Sequence, residues 1–407
     1  LPELPTIVLF FVLFFVYAFL PRWFSCVSLL LWCYSRLLKA APFVFIFFFL
    51  MIRRPPRSTL DRSSAASDVY KRQPRLILDH VLDHAEQHPD RVYLTQPLGG
   101  GRVAYYTWAQ VLDQARRMAA HLQSLGLKPG DKVALLSKNT AHWLMSDFAI
   151  WMAGCVSVPL YPTLAAGTIR QILEHSESKL LFVGKLDGWA GMKPGIPAGL
   201  PCVSHPLAPD DAKKSYRGWD DIVAKTEPLK GKPVRDAGDM STIMYTSGTT
   251  GAPKGVMHTF GNFAMAVQQG LKRIPLREDG RMLSYLPLSH VVERALVEHG
   301  QLATGMHVYF AESLDTFAAD LQRARPTVFF SVPRLWVKFQ QGVQTKMPPK
   351  KMDLFLKLPI LNGIVKKKVL GALGLDQCIF AAGGAAPMPI ELLHLSLIHI
   401  SEPTRPY

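Results

Sequence analysis

Tyr245-Thr246-Ser247-Gly248-Thr249-Thr250-Gly251-Ala252-Pro253-Lys254-Gly255 is the stretch on which the reading of this chain turns. The apolar run Ile243-Met244-Tyr245 predicts a strand that delivers the chain into a loop. Gly248, Gly251 and Gly255 allow close backbone approach and positive φ angles. The hydroxyls of Thr246, Ser247, Thr249 and Thr250, with the N–H groups freed in such a loop, can donate to phosphate oxygens. Lys254 adds a mobile positive charge. The spacing is not that of the Walker loop, because Gly255 follows the lysine and no hydroxyl is placed for Mg²⁺ in that manner. A solvent-exposed turn also favours Gly, Ser and Thr, but an unbroken string of these types points to phosphate.

Outward from the loop the chain alternates strand and helix. On the N-terminal side, Val111, Leu112, Ala115, Met118, Ala119, Leu122 and Leu125 recur on one face of a helix over Thr107–Leu125, with Thr107 as N-cap and Gly126 as stop. A turn at Lys128-Pro129-Gly130-Asp131 precedes a short buried strand, Val133–Leu136. Helices are expected near Thr140–Ala153 and Ala165–His175, and strands at Val156–Leu160 and Leu180–Val183. Lys185–Asp239 is richer in Pro, Gly and Lys without a clear period, and is expected to be a long excursion or an irregular connector. Beyond the loop, strands are expected near Met282–Leu286, Met306–Phe310 and Thr327–Ser331. This alternation predicts an α/β protein with a parallel sheet covered on both faces.

The chain of 407 residues, 49% hydrophobic and 19% charged, suits a globular protein with ample core. The formal charge of +15 is scattered, apart from runs such as Arg53-Arg54 and Lys366-Lys367-Lys368. No long basic stripe is interleaved with aromatic residues, so nucleic acid is not the expected partner and anionic small substrates suit the charge equally well. Cys26, Cys33, Cys155, Cys202 and Cys378 lack metal-ligand spacing; a reducing cytoplasmic setting is the default, and Cys155 reads as a buried inert thiol.

Both ends are different material. Ile7–Leu20, Leu29–Trp32 and Phe43–Ile52 are apolar runs, each short of the roughly 18–20 residues that cross a bilayer. They read as poor membrane helices or as a signal-like segment with the wrong flanks. A third reading fits better. Phe47–Thr59, its continuation Ser63–Gln73 and the tail Leu395–Tyr407 resemble translated sequencing-adapter DNA. The expected organisation is therefore an artefactual segment over 1–73, an incomplete nucleotide-binding domain over 74–394, and an artefactual tail over 395–407. The expected location is cytoplasmic with membrane association open, and transmembrane only if residues 1–52 are genuine.

The string from Tyr245 to Gly255 resembles the signature of the adenylate-forming superfamily of acyl-CoA synthetases, luciferases and peptide-synthetase adenylation domains. Tyr106-Thr107-Trp108, Lys128–Ala134, Val158–Thr163 and Ala381–Pro387 resemble its other segments in the expected order. Ser284–Arg294 and Pro326–Trp336 are closest to the long-chain fatty-acid CoA ligases.

The resemblance implies the N-terminal large domain of that fold, with layered α/β subdomains and mostly parallel sheets. It also implies two reactions. A fatty-acid carboxylate attacks the α-phosphorus of ATP to give acyl-AMP and pyrophosphate, and the CoA thiol then takes the acyl group. Thr246, Ser247, Gly248, Thr249, Thr250 and Gly251, with Lys254, would hold the β- and γ-phosphates, and Mg²⁺ would offset their charge. No residue of this chain is assigned to the metal. Gly383, Gly384, Ala385 and Ala386 would lie against adenine, since small side chains let a flat ring approach the backbone. His290 would orient the acyl carboxylate at a strand's carboxyl end. Glu293 and Arg294 read as helix-surface charge with no catalytic role.

The family's Gly-Tyr-Gly-x-Thr-Glu segment, its ribose-binding Asp and its small C-terminal domain with a catalytic Lys have no counterpart up to Tyr407. The expectation is that the small domain is absent and that residues 74–394 alone turn over negligibly. Alternatives are an acyl-AMP ligase or an adenylation domain loading a carrier protein, or a membrane-anchored, catalytically dead nucleotide-binding remnant.

Overall fold

The computed structural model describes residues 75–247, 253–272, 274–348, 358–384 and 386; the expectations for 1–73 and 395–407 lie outside them. The chain divides into two units, residues 57–329 with 367–381, and residues 1–56 with 330–366 and 382–407.

In the first unit, helix α1 (Ile77–Gln87) leads into an antiparallel hairpin of β1 (Val92–Gly99) and β2 (Arg102–Thr107). Helix α2 (Trp108–Ser124) begins where the periodicity places it. The Thr107 hydroxyl accepts the N–H of Gln110 at 3.3 Å and the Gln110 side chain accepts the N–H of Thr107 at 3.0 Å, a reciprocal cap. Val111, Ala115, Met118, Ala119 and Leu122 are buried along its inner face. Leu125, expected on that face, is 47% exposed, because the helix ends at Ser124 and Gly126, with φ of +83°, turns the chain away.

Strands β3 (Lys132–Leu136), β4 (Val156–Leu160) and β5 (Leu180–Val183) are buried almost throughout, as parallel strands covered on both faces must be. Between β3 and β4, helix α3 (Ala141–Met152) is capped by Thr140, which accepts the N–H of Trp143 at 3.2 Å. Every residue of α3 is buried, and it packs against α2, β1, β3 and β4. A helix enclosed on all sides should be apolar all round. Asp147, with His142 and Ser146, breaks that rule. Helix α4 (Ala166–His175) follows β4.

Lys185–Asp239 departs from the expected irregular connector. It contains β6 (Cys202–Ser204), β7 (Arg217–Gly218) and helix α5 (Trp219–Lys225). Strands this short carry no readable period. They form because β5 offers an edge: β6 pairs parallel to β5, and β7 parallel to β6. Strands β8 (Met240–Ser247) and β9 (Pro253–Thr259) complete a seven-stranded sheet ordered β7-β6-β5-β3-β4-β8-β9. All its pairings are parallel except β8 with β9.

Helix α6 (Phe260–Leu271) leads to β10 (Arg281–Ser284) and β11 (His307–Phe310), which join the first hairpin in a second sheet ordered β10-β11-β1-β2. Helix α7 (Phe317–Ala324) covers β10 and β11. Because α3 packs on β1 as well as on β3 and β4, it lies between the two sheets.

The division between the units falls within β12 (Val328–Ser331), helix α9 (Pro359–Leu373) and β13 (Phe380–Gly383). The second unit, taken by itself, holds helix α8 (Pro333–Lys346), which has a proline in its first turn, where the missing N–H costs nothing. There the N–H of Gly384 donates to the Ser331 carbonyl at 3.2 Å.

Cys155, Cys202 and Cys378 are free thiols. Cys155 is buried and its thiol is pushed up to about 11 by that burial, the inert group expected. Among the described residues no helix is long and apolar enough to cross a membrane.

Candidate functional site

The phosphate-type string is built on the β8–β9 hairpin. Its register pairs Tyr245 with Gly255, Thr246 with Lys254, and Ser247 with Pro253. Residues directly opposite in an antiparallel pair share a face. Thr246 and Lys254, both exposed, therefore stand side by side at the mouth of the loop. Gly248, Thr249, Thr250 and Gly251, the centre of the expected phosphate contact, lie outside the described residues, as does Ala252.

The neighbouring position fixes the hairpin to the core. Tyr245 is buried, and its hydroxyl hydrogen-bonds with Nδ1 of His175 at 2.7 Å. Opposite it, a Cβ on Gly255 would lie 2.7 Å from Cγ2 of Ile243 and 3.3 Å from the Tyr245 ring. The expectation that Gly255 serves a positive-φ phosphate approach is thereby corrected: it is a strand residue without positive φ, and it makes room for Ile243 and Tyr245.

His290 stands beyond the carboxyl end of β10, as expected. It caps the helical turn Val291–Glu293, its Nδ1 accepting the N–H of Val292 at 3.3 Å. An imidazole nitrogen that accepts is unprotonated, so the ring proton sits on Nε2. The ring is half-buried, and burial lowers its pKa, which keeps it neutral near neutral pH. His290 thus offers one N–H donor and no charge. Met244, two residues before Thr246, packs with Phe263, Ala295 and Val291, so the hairpin and the segment after His290 share one apolar cluster.

The loop that carries His290 is held by a residue from the other sheet. Asn139, just past the end of β3, donates to Oγ of Ser284 at 2.8 Å and to the Leu286 carbonyl at 2.6 Å. Its Oδ1 accepts the N–H of Leu288 at 3.0 Å. Sequence reasoning passed over Asn139; the available signal was a polar residue at a strand's carboxyl end.

Glu293 and Arg294 are not helix-surface charges. Glu293 is 3% exposed and Arg294 fully buried. One carboxyl oxygen of Glu293 accepts the Ser284 hydroxyl and the N–H of Tyr285, each at 3.0 Å. Burial pushes its pKa up to about 8, partly offset by those bonds and one from the Leu286 N–H. Arg294 pairs with Asp147 of α3 at 3.0 Å and with Glu298 at 3.3 Å, all three side chains at 0% exposure. Its guanidinium lies 5.6 Å from the Trp151 ring centre. Burial raises the Glu298 pKa well above the ordinary range; the Arg294 charge opposes the rise and Asp147 adds to it. Residues 294–300 wind as a π-helix, a form concentrated at functional sites.

Gly383 ends β13, and Gly384 lies against Phe330, whose ring a Cβ would approach to 3.1 Å. Ala386 is exposed, and Ala385 lies outside the described residues. These residues belong to the second unit and Thr246, Lys254 and His290 to the first. Among the described residues no three His, Cys, Asp or Glu side chains are gathered for a metal ion.

A model described as "AMP-binding enzyme" matches residues 81–397. The long-chain-fatty-acid–CoA ligase FadD15 of Mycobacterium bovis is 30% identical over 354 residues, which cover 77% of this chain and 57% of that protein. Long chain acyl-CoA synthetase 5 of Arabidopsis thaliana is 29% identical over 282 residues, covering 64% and 42%. The chain thus spans about half the length of the curated relatives it matches. Among solved structures, the A domain of carboxylic acid reductase from Segniliparus rugosus, in complex with AMP and a co-purified carboxylic acid, superposes with a TM-score of 0.65 at 20% identity, over 83% of this chain and 60% of that one. The anthranilate CoA ligase AuaEII in complex with anthranoyl-AMP gives 0.63 at 19%, over 82% and 59%.

Proposed function

Because the chain belongs to the AMP-binding enzyme family, with the α/β large-domain fold of the adenylate-forming enzymes, we propose that it is the nucleotide-binding part of a ligase that activates a long-chain fatty acid as acyl-AMP and passes it to CoA. The observation that carries the reading is the β8–β9 hairpin, which sets Thr246 opposite Lys254 at the mouth of a Gly- and Thr-rich loop. Cross-strand pairing fixes both side chains on one face before any ligand arrives, so a polyphosphate would meet a hydroxyl donor and a cation already adjacent.

The roles follow from what each group can do. The carboxylate of the acid is itself the nucleophile, so the protein's task is alignment and charge neutralisation. Lys254 takes charge from the β- and γ-phosphates and then from departing pyrophosphate. Thr246 and the backbone of residues 247–251 hold those oxygens. Neutral His290 donates from Nε2 to an acyl carboxylate oxygen, orienting it without abolishing its nucleophilicity. Gly383, Gly384, Ala385 and Ala386 receive the adenine face. Mg²⁺ bound with ATP would offset the charge on the phosphates.

The test is calorimetric titration of the chain with Mg·ATP, followed by ATP–pyrophosphate exchange with fatty acids of graded length on the ligase of which it is the nucleotide-binding part. Lys254→Ala should weaken Mg·ATP by about tenfold, as loss of one charge-assisted contact does. Since Lys254 is exposed, the melting temperature should hold. A folded wild-type chain that binds no Mg·ATP overturns the proposal. Exchange supported by the acid, with transfer to a phosphopantetheinyl carrier and not to CoA, would replace the CoA ligase with a carrier-loading enzyme.

A further inference from the structure

We propose that Asn139 is a positioning residue for the reaction: it clamps the Ser284–Leu288 loop to the end of β3 and thereby sets the place and tautomer of the His290 imidazole. This inference rests on the role of His290 given above.

The geometry is specific. Asn139 is 8% exposed and engages both ends of its amide. Its nitrogen reaches Ser284, the last residue of β10, and the Leu286 carbonyl; its oxygen receives the Leu288 N–H. The loop is therefore gripped at its start, middle and end by one side chain from 145–149 residues earlier. Immediately after the gripped segment, the N–H of His290 donates to the Pro287 carbonyl at 2.8 Å, and the Val292 N–H reaches Nδ1. Turn and ring are thus built on the clamped residues. Glu293 closes the arrangement from below, accepting from Ser284 and Tyr285.

A second tie works alongside. The Gln96 side chain of β1 accepts the N–H of Ala141 at 2.9 Å, fixing the start of α3 just after Asn139. Asn139 thus sits where the two sheets are fastened together, and it is the member that touches the His290 loop. The Asn139 side chain bonds to the distant loop and to Glu293.

The experiment uses the whole chain labelled with ¹⁵N-histidine, with His290→Gln to assign the ring signals. Wild type should show His290 as the Nε2–H tautomer with a depressed midpoint. Asn139→Asp keeps the shape and the acceptor for Leu288 but loses the amide donor. It should yield mixed tautomers and a midpoint moved toward the ordinary 6.5. Asn139→Ala should do the same more strongly; Ser284→Ala, which removes the bond from Asn139 and the one to Glu293 while leaving the Leu286 and Leu288 bonds of Asn139, is the arm that decides if neither variant folds. In parallel, affinity for a non-hydrolysable decanoyl-sulfamoyl adenosine should fall about tenfold in Asn139→Asp while Mg·ATP affinity stays within about twofold. In a His290→Ala background the same substitution should leave analogue affinity unchanged, whereas a general loss of structure would lower it in both backgrounds. Unchanged His290 signals in folded Asn139 variants overturn the inference and leave the ligase reading standing. Absent Mg·ATP binding with shifted His290 signals has the opposite meaning.

Discussion

Replacing Arg294 by methionine removes a charge from a place water does not reach, and the structure gives the size of the effect. Arg294, Asp147 and Glu298 are all fully buried. The Arg294 guanidinium is the cation that faces the Asp147 carboxylate at 3.0 Å. Methionine keeps most of the volume and leaves that carboxylate unpaired, to be met by taking up a proton. Holding an ordinary carboxylic acid of pKa about 4 protonated near pH 7 costs about three units at 1.36 kcal/mol each, or about 4 kcal/mol. This agrees with the 3–5 kcal/mol typical of breaking a buried pair. The cost must shrink by about 1.4 kcal/mol for each unit the pH falls, since the variant's carboxyl gains a folded-state pKa above its unfolded one and its stability is lost as pH rises. Urea unfolding followed by tryptophan fluorescence near pH 7 and near pH 5.5 reads both numbers. The combined variant Asp147→Leu, Arg294→Met, Glu298→Leu should recover most of the loss, because no charge then remains to be buried. A loss below about 1 kcal/mol near pH 7, or one that does not shrink on acidification, refutes the assignment of a charged, water-free triad.

Glu293 gives a second pH effect. Its folded pKa of about 8 lies above the unfolded 4.5, so its contribution is complete below about pH 4.5 and is lost as pH rises through 8. Glu293→Gln should flatten the fall in melting temperature over that window, measured by calorimetry; an unchanged slope would count against a carboxyl held neutral there. Gly255→Ala places a methyl 2.7 Å from Ile243 and should destabilise by about 1–3 kcal/mol, as overpacking does. Thermal unfolding tests this, and a neutral result would mean the hairpin yields freely.

Legibility followed the range of the physics. The α/β alternation could be read because β3, β4 and β5 are apolar at nearly every position and α2 and α3 carry their own threonine caps. The strand that leads into the Tyr245–Gly255 string could be read because Ile243-Met244-Tyr245 is an apolar run, a local signal. Strands β6 and β7 could not, since they form on an edge supplied by β5 and carry no pattern themselves. Nor could the burial of Glu293 and Arg294 be read. In sequence a charged pair on a helix looks the same exposed or buried, and here Asp147 and Asn139, about 150 residues earlier, decide it. Gly255 was misread because a glycine that frees the backbone and one that admits a neighbour's ring are written with the same letter.

The place of β8 in the large sheet carries a consequence for how the site comes into being. Strands β3 to β7 arise from one contiguous stretch, and the β8–β9 hairpin is local to itself. Yet β8 joins the sheet by lying beside β4, where Thr242 donates to the Ser157 carbonyl across 85 residues of chain. That seam closes the longest loop in the sheet, and such closures are paid for late in folding. During synthesis the slot beside β4 exists before its occupant has been made. The β8–β9 hairpin is therefore expected to take its place in the sheet last, and weakening the Ser157–Thr242 seam should delay the recovery of nucleotide binding on refolding more than the recovery of helix.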